Sequence, residues 1–365
     1  MSAAQAVAHS ARNPHWTWIA PLAAWLALLG ASLGGYFSIA LVAALIAAII
    51  AAIHHAEVVA LRVGEPFGAL ILALSVTVIE VALIISLMMA GGAHAEGLMR
   101  DTIFATIMLI LNGIVGFSLL LGGIRHHEQQ FETRAASSTL AVLAALTTLT
   151  MVLPNFTTTV AGPYYSRGQL IIVASVSFLL YLVFIQFQTI RHRAYFDPAA
   201  SSEQSAGERA TPPSARMTTA SAVLLVASLG AIVLLAHAIA PSLERVVIAA
   251  GAPEAAVGVL VAAIVLLPEA AAALRAALAN RLQSSLNLAL GSALASSALT
   301  IPVLSLVSVI AGWPLALGLD GKATVLLVLS LLVSTMSLST GRTTELQGAV
   351  HLVILVVYLT VTLIA

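Results

Sequence analysis

Two glutamates stand where the surrounding sequence leaves them little water. Glu80 closes the apolar stretch from Phe67 to Ile79, and Glu269 follows Pro268 inside another. Each lies 15 residues after an acid at the entrance of its run: Glu65, ahead of Pro66-Phe67-Gly68, and Glu254, ahead of Ala255-Ala256. Fifteen helical residues span about 22 Å, and the hydrocarbon core of a bilayer is about 30 Å thick. If these runs cross a membrane, Glu80 and Glu269 lie inside it. An ionised carboxylate there costs several kcal/mol unless it is protonated, paired with a cation or facing water. No Lys or Arg occupies the middle of any apolar run, so the remaining counter-charges are a proton and a bound cation. Both compete for the same oxygens. A site that is either protonated or cation-loaded, and is offered to each side in turn, exchanges one for the other.

The residues nearby supply further hard oxygens. Asn112 and Gly113 belong to Leu111-Asn112-Gly113-Ile114-Val115-Gly116, and Ser292, Ser296 and Ser297 to Gly291-Ser292-Ala293-Leu294-Ala295-Ser296-Ser297. Small residues let helix backbones approach closely, and Ser292 and Ser296, four apart, share a helix face. Pro268 cannot donate to the turn before it and frees a carbonyl. Such oxygen sets suit Ca²⁺ or alkali ions better than zinc or copper. Glu65 and Glu254 read either as entrance or relay groups or as helix N-terminal acids favoured by the dipole. His351 and His237, in or near apolar runs, are relay or packing residues. His54-His55 and His126-His127, each followed by an acid, are expected beyond the ends of their helices as pH-responsive groups rather than metal ligands.

Composition says what must position these groups. Of 365 residues, 60% are hydrophobic and only 8% charged, with mean hydropathy +1.05; a soluble domain has about 25% charged residues. That excludes a soluble enzyme and a disordered chain. Zero net charge provides no field for nucleic acid, and the absence of cysteine excludes disulfides and thiol chemistry. No cofactor is called for; the cation is cargo. Eleven apolar runs are long enough to span a bilayer, near 16–34, 37–53, 67–90, 102–123, 139–160, 169–189, 218–240, 255–274, 284–311, 323–340 and 346–365. The first carries Trp16, Trp18 and Trp25 and has no cleavage-type small-residue end, so it reads as a retained helix. Eleven Lys and Arg fall in the N-terminal tail and every second loop, and four on the other side. By the positive-inside rule the N-terminus is cytoplasmic and the C-terminus outside.

The expected fold is therefore an all-α polytopic membrane protein. Residues 1–35 form a tail and extra helix, 36–189 a first five-helix repeat, 190–217 a cytoplasmic linker and 218–365 a second repeat. The glutamate-bearing helix is second in each. Five is odd, so the repeats enter the membrane from opposite sides, a plan shared by many secondary transporters.

Four stretches resemble bacterial calcium/proton antiporters of the ChaA type, within the cation/calcium exchanger superfamily. They are Gly64-Glu65-Pro66 through Leu72 to Glu80-Val81; Arg100-Asp101-Thr102 through Gly116-Phe117-Ser118 to Gly122-Gly123; Pro268-Glu269 through Asn287-Leu288 and Gly291-Ser292 to Leu299-Thr300-Ile301-Pro302; and Ser339-Thr340-Gly341-Arg342-Thr343 through Gly348 to His351-Leu352. The resemblance implies one extra helix plus two inverted five-helix repeats. It also implies exchange of cytoplasmic Ca²⁺, or of Na⁺ or K⁺, for external protons, with the paired acids on Glu80 and Glu269. Many such exchangers place a Gly-Asn pair shortly before each acid; here Ser75-Val76-Thr77-Val78-Ile79 and Ile264-Val265-Leu266-Leu267-Pro268 stand there instead. The rival readings are a Na⁺ or K⁺/H⁺ antiporter with the same acids, an uncoupled cation channel, and an intramembrane hydrolase, for which no nucleophile or metal dyad is visible. The partners expected are Ca²⁺ and H⁺, Na⁺ or K⁺ in the rival reading, and the lipid of a bacterial inner membrane.

Overall fold

The computed structural model describes residues 13–64, 67–91, 96–196 and 213–364. Glu65, with most of the 190–217 linker, lies outside the described residues. Among those described, nine helices are long and apolar enough to cross a membrane and two shorter apolar helices accompany them. In chain order they are α1 His15–Leu29, α2 Phe37–Val63, α3 Phe67–Met89, α4 Leu98–His126, α5 Thr133–Phe156, α6 Arg167–Arg191, α7 Ala215–Val247, α8 Ala255–Leu278, α9 Leu282–Ala311, α10 Gly321–Ser337 and α11 Glu345–Leu363. Each falls on one of the eleven apolar runs. The chain is an all-α integral membrane protein, because only internally bonded helices satisfy the backbone of such runs in lipid.

One element differs from expectation. The run ending near residue 53 continues as helix to Val63 and stops at Gly64, whose φ of +78° suits glycine. Ala51, Ala52, Ala56 and Ala60 sustain the helix, since alanine has the highest helix propensity. His54 and His55 therefore sit inside α2 and are buried. They do not form a cluster in a loop beyond the helix. His55 Nε2 lies 3.0 Å from the Thr17 carbonyl, and the His54 ring packs on Trp16 with centroids 5.5 Å apart. Likewise α4 runs through His126, whose ring bonds the Leu278 carbonyl.

The chain divides into two compact units, Met1–Ala95 with Ser202–Gly251 and Glu96–Ser201 with Ala252–Ala365. In the first, α1, α3 and α7 pack around α2, and α3 also packs on α7. Trp25 donates to the Ala227 carbonyl and Arg62 to the Pro213 carbonyl, tying α1 and α2 to α7. In the second, α4 is the central helix. It is the most buried of the spans, at 83% of its apolar window, and α8, α9, α10 and α11 all pack on it.

Both ends of α4 are fastened. At one end strands β1 Gln129–Gln130 and β2 Arg342–Thr343 pair antiparallel. Arg342 bonds Glu128 at 3.1 Å, and Gln129 donates to the Ala277 carbonyl at 2.9 Å. The Ser339–Thr343 block is thus a cross-tie between α4 and α11. At the other end Arg100 pairs with Asp101 at 2.7 Å and reaches the Gly318 carbonyl, while Leu317 and Gly318 donate to the Pro163 carbonyl. Nearby, the Tyr164 hydroxyl donates to Glu96 at 2.7 Å, and that bond raises the phenol above its ordinary pKa.

Helices α4 and α8 meet most closely at Gly258, where a Cβ would stand 2.8 Å from the Thr102 backbone nitrogen. Gly258→Leu would overpack this crossing, at a cost of about 1–3 kcal/mol. A lower melting temperature in detergent is the expected outcome; an unchanged one would show that the helices are not held at this point.

Candidate functional site

In the first unit, Glu80 lies on α3 and is only 2% exposed. Thr77 and Ser75, on the preceding turn, are also buried and bond their hydroxyls back to the Ala73 and Ile71 carbonyls. Such back-bonding lets a polar side chain sit in an apolar helix. The apolar residues Ile79, Leu83 and Ile84 on the same helix are buried as well.

In the second unit, Glu269 lies on α8 and is 7% exposed. Its depth follows from the packing of α8 on α4. The starts of both helices line one cavity of about 570 Å³, through Arg100, Asp101 and Phe104 of α4 and Pro253 and Ala255 beside α8. The two helices therefore run in the same direction from their contact at Gly258 and Thr102. Eleven residues on, α8 reaches Glu269 and α4 reaches Gly113, about 16 Å from that contact. Along this direction α8 packs on the π-helical segment of α4 that holds Asn112 and Gly113. The proline before it, Pro268, lies within the helix, and without an N–H it leaves the Ile264 carbonyl outside the ladder.

At this depth α4 is not a regular α-helix. Leu109–Ile114, which contains Asn112 and Gly113, is π-helical, and so is Ser296–Thr300 of α9, which contains Ser296 and Ser297. A π-bulge inserts a residue, displaces a carbonyl from the regular ladder and often marks a functional position. The causes are local. Gly113 weakens the first segment, and Pro302, one turn after the second, removes a donor. Among the described residues π-helical turns also occur at Thr148–Val152 of α5 and Phe187–Arg191 of α6; those of α4 and α9 are the ones that hold the small polar residues.

The second unit brings most of the expected group onto a few helices. Asn112, Ser296 and Ser297 are buried, while Ser292 is half-buried. Ser297 bonds the Ala293 carbonyl, and Ser285 joins Ser118 across α9 and α4 at 2.9 Å. His351 of α11 is fully buried, with Nδ1 3.4 Å from Asn112 Oδ1. It sits in the middle of the group and not at an entrance. Glu254 is exposed at the start of α8, beside the cavity. His237 lies on an exposed face of α7, away from the unit's interior. Among the described residues no group of three or more His, Cys, Asp or Glu forms a metal cluster.

Sequence reasoning passed over four contributors. Ser330 of α10 accepts from Asn112 Nδ2 at 2.8 Å and Met108 lies beside both. Phe104 and Tyr358, edge to face at 5.5 Å, line the cavity above the polar group. The spacing of Ser330, Ser334 and Ser337 in a largely apolar helix was the available signal, since all three are buried on one stripe.

Comparison with known proteins gives a consistent picture. The model of the sodium/calcium exchanger protein family matches residues 32–190 and 220–364. The chain is 47% identical over 356 residues to the proposed ionic transporter y4hA of Sinorhizobium fredii, with 96% of each chain covered. It is 38% identical over 312 residues to the sodium-potassium/proton antiporter ChaA of Escherichia coli, covering 84% of this chain and 83% of ChaA. Among solved structures, the Ca²⁺/H⁺ antiporter protein YfkE superposes with a TM-score of 0.69 at 17% identity, covering 93% of this chain and 97% of that one. At that identity the likeness is one of fold.

If the buried carboxylates are where a cation binds, saturating cation should raise the melting temperature of the wild-type protein, since a ligand of the folded state stabilises it. Glu80→Gln and Glu269→Gln remove the charge at nearly constant shape. They should fold as well in cation-free buffer and show little of this shift. A full cation-dependent shift in both variants would place the binding elsewhere.

Proposed function

The chain belongs to the sodium/calcium exchanger protein family, and from that premise we propose that it exchanges Ca²⁺ for H⁺ across the bacterial cytoplasmic membrane. It is a membrane ion exchanger, not an enzyme, and needs no cofactor beyond its cargo. In the proposed cycle Glu80 and Glu269 bind the ion on one leg and protons on the return leg. Two carboxylates accept at most two protons, which makes an electroneutral Ca²⁺/2H⁺ cycle the natural stoichiometry. Asn112, Gly113, Ser296 and Ser297 line the path, Ser292 borders it, and Glu254 and Glu65 stand at its entrances. The repeats 36–189 and 218–365 provide the two alternately open arrangements. The N-terminus and the 190–217 linker face the cytoplasm, on the Lys- and Arg-rich side.

The observation that supports this reading is a buried Glu269 on α8, the helix that packs on the π-helical turn of α4 holding the buried Asn112. A carboxylate, an amide and displaced backbone carbonyls are hard oxygen donors of the kind Ca²⁺ takes. The likeness in fold to a Ca²⁺/H⁺ antiporter protein agrees with that choice. A second reading, Na⁺ or K⁺ against H⁺ at the same acids, is favoured by the 38% identity to a sodium-potassium/proton antiporter.

Sealed vesicles holding the purified protein, a proton gradient and an internal pH dye separate the two. Ca²⁺ should collapse the gradient at lower concentration than Na⁺, K⁺ or Mg²⁺, and Glu80→Gln or Glu269→Gln should abolish the response. A response to Na⁺ or K⁺ alone would establish the second reading. An intact gradient with every cation would remove proton coupling, and normal exchange in either variant would remove that acid from the cycle.

A further inference from the structure

The Asn112 amide is held in one orientation by groups that the exchange chemistry does not itself require. Ser330 donates its own proton to the Leu326 carbonyl at 2.7 Å, so its oxygen is left to accept from Asn112 Nδ2 at 2.8 Å. That turns Asn112 Oδ1 toward His351 Nδ1, 3.4 Å away, in a ring that also meets the Leu111 backbone carbonyl. An amide oxygen only accepts, so Nδ1 is the ring nitrogen that carries the proton. Nε2 is then a bare lone pair, buried and without a hydrogen-bond partner. Asn112, Ser330 and His351 are all 0% exposed. The arrangement depends on close approach of α11 to α4. A Cβ at Gly116 would stand 3.0 Å from the His351 Cβ, and Gly348 lies directly against the Gly116 and Leu120 backbone.

We infer that Ser330 and His351 are positioning residues that fix the Asn112 amide, and that this fixed amide sets the preference for Ca²⁺ over Na⁺ and K⁺. The inference rests on the reading that Asn112 lines the ion path. Carboxylates attract any hard cation. Neutral oxygens in a rigid array discriminate among them, because a divalent ion interacts with a carbonyl dipole twice as strongly as a monovalent one at the same distance. If the amide turns over, its NH₂ group faces the cation and the penalty also doubles for Ca²⁺. Holding the amide oxygen in place therefore favours the divalent ion selectively, where a merely structural bond would support all ions alike.

The test compares Ser330→Ala, His351→Leu, His351→Asn and Asn112→Ala, purified in detergent. The readout is the concentration of Ca²⁺ and of Na⁺ that half-saturates the rise in melting temperature. Baseline melting in cation-free buffer shows which variants fold. Ser330→Ala and His351→Leu should worsen the Ca²⁺ value relative to the Na⁺ value by roughly three- to tenfold, the effect of one neutral hydrogen bond. His351→Asn places an amide N–H where Nδ1 stood and should keep the wild-type ratio. An unchanged ratio in Ser330→Ala and His351→Leu, or an equal loss for both ions, overturns the inference while leaving the exchange reading intact. Unchanged values in Asn112→Ala remove Asn112 from the ion path and the inference with it.

Discussion

The structure depends on the cost of holding a carboxylate in a medium that cannot solvate it. Glu80 and Glu269 are 2% and 7% exposed in helices chosen for lipid. A buried charge is expensive until a proton or a cation shares it. In the proposed cycle that penalty makes a proton and the cation compete, and exchange follows from the competition when the site faces one side at a time. A more polar helix would relieve the penalty and with it the reason for a proton and a cation to exclude one another.

The rest of the second unit packs around α4 and fastens both of its ends. Helix α4 is central because everything on it must be placed to within a fraction of a turn. The cross-tie of Gln129–Gln130 with Arg342–Thr343 holds one end, and the Arg100, Gly318 and Pro163 contacts hold the other. Between them the helix is allowed to depart from α geometry at Leu109–Ile114. Rigid ends and an irregular middle are complementary: a displaced carbonyl is useful only if the turns above and below it do not shift to recover it. Glycine at 116, 258 and 348 allows the neighbouring helices to press on α4 closely enough to exclude water.

Much of this was legible in the residues. Long apolar runs can only be helices in lipid, so all eleven helices could be placed; the acids stood out because each lies inside an apolar run with no Lys or Arg in its middle. Their burial and the buried Asn112, Ser296 and Ser297 follow the sequence reading. What escaped it has physical causes. The end of α2 was set too early because His54, His55 and Glu57 look like the close of an apolar run, whereas helix propensity carries the chain to Gly64. The burial of His54 and His55 needs Trp16 and Thr17, which are distant in sequence. The π-helical turns have no period of their own to detect. Ser330 belongs with Asn112 only because α10 crosses α4, a contact 218 residues apart in the chain.

The central claim is that one set of oxygens binds either protons or the cation. It is tested most directly by counting protons released as Ca²⁺ binds to the purified protein in weakly buffered solution near neutral pH. Release that saturates together with binding, approaches two protons per Ca²⁺ and falls in Glu80→Gln and Glu269→Gln is the predicted result. Tight Ca²⁺ binding with no proton release at any pH would contradict it, because cation and proton would then occupy different groups.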